Sequence, residues 1–211
     1  MLEPLSVALG LIGLAWGVAA DRIAARWPSH EDGSVRAIDW RTVLVPVVGA
    51  VALAALPSRF ADPPALVLFT AYFLALILLL ATDLDQRLLP DVITLPLIPI
   101  ALAAGLAGID PLVAGALPGA IAIAVVIPAL LYGLSIPFGA GAIGVGDLKL
   151  LVSVGLLAGL ERTIIGVVSG ALLAGVVVVL LLVARRVTLH SFIPFGPFLI
   201  LGAIWGILGG R

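Results

Sequence analysis

Ala65-Leu66-Val67-Leu68-Phe69-Thr70-Ala71-Tyr72-Phe73-Leu74-Ala75-Leu76-Ile77-Leu78-Leu79-Leu80-Ala81 carries no charge, and Asp83 follows it closely. A helix crossing a bilayer needs about 20 mostly apolar residues, because each residue rises ~1.5 Å through ~30 Å of hydrocarbon. This run meets that need, and it has counterparts at Leu5–Ala20, Val43–Leu56, Val92–Ile109, Leu112–Ile136, Leu148–Leu160, Thr163–Ala184 and Phe192–Leu208. The expected fold is therefore all-α, a polytopic transmembrane helical bundle of about eight spans. The second and sixth runs are short. They either begin earlier, near Trp40 and Ile143, or lie protected inside the bundle.

Composition agrees. Hydrophobic residues make up 63% of the 211 and charged residues 11%, with a mean hydropathy of +1.31. A soluble domain has roughly 45–50% and 25%. The net charge of −1 excludes a strongly basic nucleic-acid binder, so no nucleic-acid partner is expected. The absence of cysteine excludes disulfides, thiolate zinc sites and cysteine nucleophiles. His30 and His190 are the two histidines, far apart in sequence, so neither a metal nor a cofactor is expected. The first run follows Glu3 and has no basic segment before it, which reads as a first span rather than a cleaved signal.

With the N-terminus outside, Arg22, Arg26, Arg36, Arg41, Arg87, Lys149, Arg185 and Arg186 fall on one side, and Arg59, Arg162 and Arg211 on the other. The positive-inside rule makes the richer side cytoplasmic. The loops Asp83–Asp91, Gly139–Asp147 and Arg185–Ser191 then face the cytoplasm. The exterior connections are Pro57–Pro64, Gly108–Pro111 and a turn at Glu161–Arg162. Two regions are expected: residues 1–42, a first helix plus a short cytoplasmic connector, and residues 43–211, the membrane-embedded bundle. The connector Asp21–Arg41 is polar and reads as solvated, with Asp21, Glu31, Asp32 and Asp39 among arginines. Asp62 and Asp110 each precede proline and read as turn residues.

Two clusters carry chemistry. The first is Thr82-Asp83-Leu84-Asp85-Gln86-Arg87-Leu88-Leu89-Pro90-Asp91, between two apolar runs. A carboxylate at the membrane boundary is expensive without a task or a partner. Asp83 is either functional or a helix-end acid paired with Arg87. Asp85 and Asp91 stand evenly between support and structure, and Pro90-Asp91 can stop one helix and cap the next. The second cluster is Gly139-Ala140-Gly141-Ala142-Ile143-Gly144-Val145-Gly146-Asp147-Leu148-Lys149. Its glycines permit close backbone approach, and irregular backbone near membrane depth needs protein or a wet cavity around it. The alternative is a flexible loop with Asp147 as a cap. Asp83 closes one span and Asp147 opens another, so the two can meet at one depth. Two acids at one site share a proton: the ionised one activates water and the protonated one hydrogen-bonds the carbonyl oxygen.

These stretches, with Ile193-Pro194-Phe195-Gly196-Pro197-Phe198 near the C-terminus, resemble the prepilin peptidases, or type IV leader peptidases, of the GxGD class of membrane aspartyl proteases. Gly13–Gly17 running into Arg26-Trp27-Pro28, and Trp40-Arg41, are weaker echoes. The resemblance implies a catalytic pair of Asp83 and Asp147, with Asp83 preferred over Asp85 because it stands seven residues before Pro90. It implies supporting roles for Asp85, Asp91, Lys149, Gly144, Gly146 and Pro90, and a place near the catalytic face for Pro194–Pro197, otherwise a turn leading into a helix. It also implies a bacterial cytoplasmic-membrane enzyme serving type IV pili or type II secretion. The substrate would be a prepilin or pseudopilin, cut at a glycine between a basic leader and an apolar helix. Larger members carry a two-pair cysteine insert after the first span and methylate the product. The connector here has no cysteine, so N-methylation is not expected of this chain.

Three other readings fit parts of the pattern. An ion- or proton-coupled transporter would use Asp83 and Asp147 as carrier sites. A lipid-modifying enzyme would hold Mg²⁺ on Asp83, Asp85 and Asp91. A structural assembly subunit would tolerate loss of both aspartates.

Overall fold

The structure is a computed structural model that describes residues 2–28, 35–138, 143–186 and 194–209. Among the described residues there are seven α-helices and a short 3-10 turn, and no strand: α1 (Leu2–Ala24), α2 (Arg41–Arg59), α3 (Pro63–Gln86), α4 (Asp91–Leu106), α5 (Leu117–Ser135), α6 (Val145–Val183) and α7 (Gly196–Gly209). Helices α1, α2, α3, α5 and α6 are long and apolar enough to cross a membrane, and α4 and α7 are shorter apolar helices. The chain is a multi-pass membrane protein. Aliphatic side chains such as Val51, Val67, Val125, Leu172 and Val183 are exposed around the bundle, where lipid replaces water as the solvent.

The two runs expected at Leu148–Leu160 and Thr163–Ala184 are the two arms of α6. The break is at Gly159, whose φ of 72° and ψ of −176° are non-helical, and not at Glu161–Arg162, which continue the second arm. A side chain at that φ would clash with the backbone, so the glycine takes the bend. Leu151 and Val154 of the first arm meet Gly166 and Val167 of the second around one small cavity. In a straight helix Val154 and Gly166 would stand about 18 Å apart, so the arms fold back on one another. Similarly, α5 begins at Leu117 rather than Leu112, after Gly115 with φ 75°.

Helix α3 forms the centre. Phe69, Phe73, Leu76, Ile77 and Leu80 are all buried, and Phe60 stacks on Phe69 with ring centroids 4.0 Å apart. The Tyr72 hydroxyl and Ser153 Oγ lie 2.9 Å apart, a buried bond from α3 to the first arm of α6. Helix α1 packs on α2 backbone to backbone: a Cβ on Gly13 would meet the carbonyl carbon of Gly49 at 2.6 Å. Close approach through small residues is how helices associate in lipid, where burial from water no longer drives them. Helix α7 packs on both α6 and α3, with Gly166 of α6 against the Gly202 carbonyl of α7.

The connector corrects the expectation of a merely solvated segment. Asp21 is fully buried and forms ion pairs with Arg22 and Arg36. Polarity was a poor guide there, because the charges neutralise one another inside the protein. Asp110 is likewise buried, although it does make the expected turn contact, accepting from the Leu112 N–H at 2.8 Å. Asp62 caps α3, accepting from Ala65 N–H at 3.2 Å. His30, Glu31, Asp32, Gly139–Ala142, His190, Ile193 and Arg211 lie outside the described residues.

Candidate active site

Helix α3 ends where Arg87 turns to the left-handed region, φ 57°, and donates its N–H to the Asp83 carbonyl at 2.9 Å. This places Asp83 in the last turn. The chain then runs through Leu88 and Leu89 to Pro90. The Pro90 carbonyl accepts from Ile93 N–H at 3.0 Å and Thr94 N–H at 3.1 Å and so starts α4 at Asp91. Gly144 is the N-cap of α6, and Asp147 in the first turn accepts a hydrogen bond from the Gly144 backbone. That bond is half of a capping box, a side chain reaching back to the cap N–H.

Gly196, the first residue of α7, brings the two acids together. A Cβ built on Gly196 would stand 2.8 Å from Asp83 Cγ and 3.0 Å from Asp147 Oδ1, with Asp83 Oδ2 closer still. Both carboxyl groups therefore rest on one bare α-carbon, at one depth, and any side chain at residue 196 would push between them. Both aspartates are nearly buried, at 4% and 8% exposure, and Asp83 Oδ2 has no hydrogen-bond partner among the described residues.

They line one cavity of about 430 Å³, together with Arg87, Leu88, Leu89, Pro90, Asp91, Gly144, Val145, Gly146 and Lys149. Lys149 Nζ bonds Asp91 Oδ1 at 2.7 Å and ties the start of α6 to the start of α4 at the cavity's edge. Gly146 fits against Leu89, where an added Cβ would lie 2.9 Å from the Leu89 Cβ. Of the residues singled out in the sequence, Asp83, Asp147, Asp91, Lys149, Gly144, Gly146 and Pro90 share this cavity.

Asp85 does not. Its side chain is 2% exposed and held by two guanidinium groups, Arg36 Nε at 2.7 Å and Arg41 Nη1 at 2.7 Å. Arg36 also pairs with Asp21 and, at 2.5 Å, with Asp39; Arg22 reaches from Asp21 to Thr42 Oγ1 at 2.8 Å. Gln86 Nε2 donates to the Pro28 carbonyl at 2.6 Å. The connector thus grips the end of α3 at Asp85, outside the cavity that holds Asp83. Outside the spans, Arg36 is held above the usual guanidinium range: burial opposes its charge, but the bonds to Asp21 and Asp39 outweigh it. With Asp85 turned away, the three acids weighed as a metal set do not converge.

The Pro194–Pro197 segment, expected near the catalytic face, does reach the two aspartates, but the sequence does not single out Gly196 between its prolines. Nor does it reveal the pairing of Arg36 and Arg41 with Asp85: charge and, for Arg41, the Trp40-Arg41 echo are the signals, and the partner lies over forty residues away.

The profile of the Type IV leader peptidase family matches residues 68–180, more than half of the chain and both aspartates. Similar proteins include the prepilin leader peptidase/N-methyltransferases of Burkholderia pseudomallei (37% identical over 129 residues, 61% of this chain and 41% of that one), Pseudomonas aeruginosa (30% over 146 residues, 69% and 49%) and Aeromonas salmonicida (32% over 135 residues, 64% and 46%). The chain spans less than half the length of these curated relatives. No solved structure matches it. The chain belongs to the type IV leader peptidase family.

Proposed function

We propose that this protein is an aspartyl endopeptidase of the bacterial cytoplasmic membrane that removes the leader of prepilins or pseudopilins, with Asp83 and Asp147 as the catalytic pair. The observation that carries this reading is the meeting of the two carboxyl groups on Gly196 inside a cavity at one end of the bundle. Asp147 sits in the first turn of α6 and Asp83 in the last turn of α3. A negative charge is favoured at the first kind of place and disfavoured at the second by the helix dipole. Asp147 is therefore assigned as the base that takes a proton from water, and Asp83 as the acid that donates a hydrogen bond to the scissile carbonyl oxygen. Water attacks the carbonyl carbon as one of its protons passes to Asp147 and the Asp83 proton passes to the carbonyl oxygen, giving a tetrahedral diol. Its collapse breaks the C–N bond: the departing amine takes the proton from Asp147, and one diol hydroxyl returns its proton to Asp83 as the carboxyl product forms. The surrounding apolar helices strengthen each of these interactions by excluding water.

The relatives are named for leader peptidase and N-methyltransferase activity. The present proposal is confined to cleavage, because what supports it is a carboxylate pair. The active end is assigned to the cytoplasm. Of the described basic residues, Arg22, Arg26, Arg36, Arg41, Arg87, Lys149, Arg185 and Arg186 stand at the Asp83 end and Arg59 and Arg162 at the other, the asymmetry the positive-inside rule describes. A transporter reading is not favoured, since its acids belong near the bilayer midplane and these close and open helices at one end. The test is co-expression with a prepilin and mass spectrometry of the pilin N-terminus. Loss of the leader mass is expected with EDTA present. Retention of the leader would contradict the peptidase, and an added methyl mass would extend the activity beyond this proposal.

A further inference from the structure

Beside the catalytic cavity lies a second groove of about 530 Å³, walled by α2, α3, the second arm of α6 and α7. Its floor is aliphatic, with Leu80, Leu84, Leu173, Val177 and Leu201. Its charged residues, Arg41, Asp85 and Arg87, are gathered where α2 starts and α3 ends. Leu44, at 36% exposure, and Leu173, at 39%, leave its side open to lipid.

Two features join it to the candidate active site. Arg87 lines both spaces. The Pro194–Pro197 segment forms one wall, and Gly196 within it carries the two carboxyl groups. From Arg87 back to Leu80 the groove descends about 10 Å, two turns of a helix.

We infer that this groove receives the apolar helix that follows the scissile bond, entering from the lipid with its N-terminal end beside Arg87. The inference rests on the peptidase reading given above. The geometry fits only one direction. A helix laid along the groove with its first residue at the charged end presents the bond before that residue to Asp83 and Asp147, and it keeps its aliphatic turns against Leu84, Val177 and Leu201. The reverse direction would bury the charges of the leader among those aliphatic side chains, where nothing compensates them.

The chain has no native cysteine, so single cysteines report contact cleanly. Val177→Cys and, as a control, Val125→Cys on the exposed face of α5 would be placed in the Asp147→Asn protein, in membranes, with a prepilin carrying one cysteine in the first two turns of its helix. A disulfide at Val177→Cys and none at Val125→Cys is expected. In the active enzyme Val177→Trp should raise KM about tenfold, a loss of ~1.4 kcal/mol of binding, while Val125→Trp leaves KM where it was. Equal cross-linking at both positions, or an unchanged KM in Val177→Trp, overturns the groove and leaves it a place for lipid chains only. Cross-linking at Val177→Cys with no cleavage by wild type overturns the peptidase and keeps the groove.

Discussion

Asp83 and Asp85 stand two residues apart at the end of α3 and meet opposite surroundings. Asp85 is enclosed with Arg36 and Arg41, whose charges balance its own, and Arg36 continues into a network with Asp21 and Asp39. Asp83 faces a second acid across the α-carbon of Gly196, and one of its oxygens is buried with no hydrogen-bond partner among the described residues. A fold built for stability alone would treat both as it treats Asp85, because buried charge is tolerated where it is paired. The cost accepted at Asp83 and Asp147 is what supports the proposed catalytic pair. On that proposal one helix end divides the work: Asp85 anchors the connector, and Asp83 serves the cavity.

Asp83 and Asp85 should respond in opposite ways to substitution. Asp83→Asn and Asp147→Asn keep the shape and remove the acid and the base. Each should lower leader cleavage by about 10³-fold or more, with the thermal midpoint in detergent held or raised, since a neutral amide removes the cost of burying an ionisable carboxyl group there. Asp85→Asn should do the reverse. It takes a buried carboxylate from two half-buried guanidinium groups, which keep Asp39 and, for Arg36, Asp21; the loss is at most about 3 kcal/mol, the lower end for a broken buried pair. That is read as a lowered thermal midpoint, with cleavage by the folded fraction retained. A fall in cleavage equal to that of Asp83→Asn would erase the distinction.

Gly196→Ala tests the meeting point itself. The methyl group would press on both carboxyl groups, and a displacement of ~1 Å at reacting groups costs about 10²-fold in rate. The effect should appear in kcat, and Leu201→Ala, lower on the same helix, should not reproduce it there.

The smallest effect concerns the far end. Asp110, between α4 and α5, is buried with a single backbone donor, and burial pushes its carboxyl up to about 6. The folded state therefore holds its proton longer than the unfolded chain does. Stability from this group is full below pH 3.8 and declines as pH rises to about 6. Asp110→Asn should remove that slope and be the more stable protein at pH 7, by melting curves across pH. Identical curves would mean that Asp110 is as well compensated as Asp85.

Much of this was legible in the sequence. Uncharged runs located the helices because lipid forbids anything else there. Asp83 and Asp147 stood out because each closes or opens such a run. The rest depended on contacts that no local pattern encodes. Gly159 is hard to see beside the charged pair Glu161-Arg162, because one glycine in an apolar run has no periodic signature. Nothing in the sequence separates Asp21 and Arg36 from solvated residues, since polarity looks the same whether water or an opposite charge answers it. Gly196 meets its two aspartates across more than a hundred residues of chain in one case and about fifty in the other, and only the packing of α7 against α3 and α6 makes it central.

On the proposed mechanism Asp83 and Asp147 act as one unit. The most direct measurement is leader removal from a reconstituted prepilin by Asp83→Asn, Asp147→Asn and the double variant, normalised to folded protein. Each single variant should lose about as much as the double, because either acid is useless without the other. Losses that multiply, or a single variant that still cleaves at near wild-type rate, would contradict it.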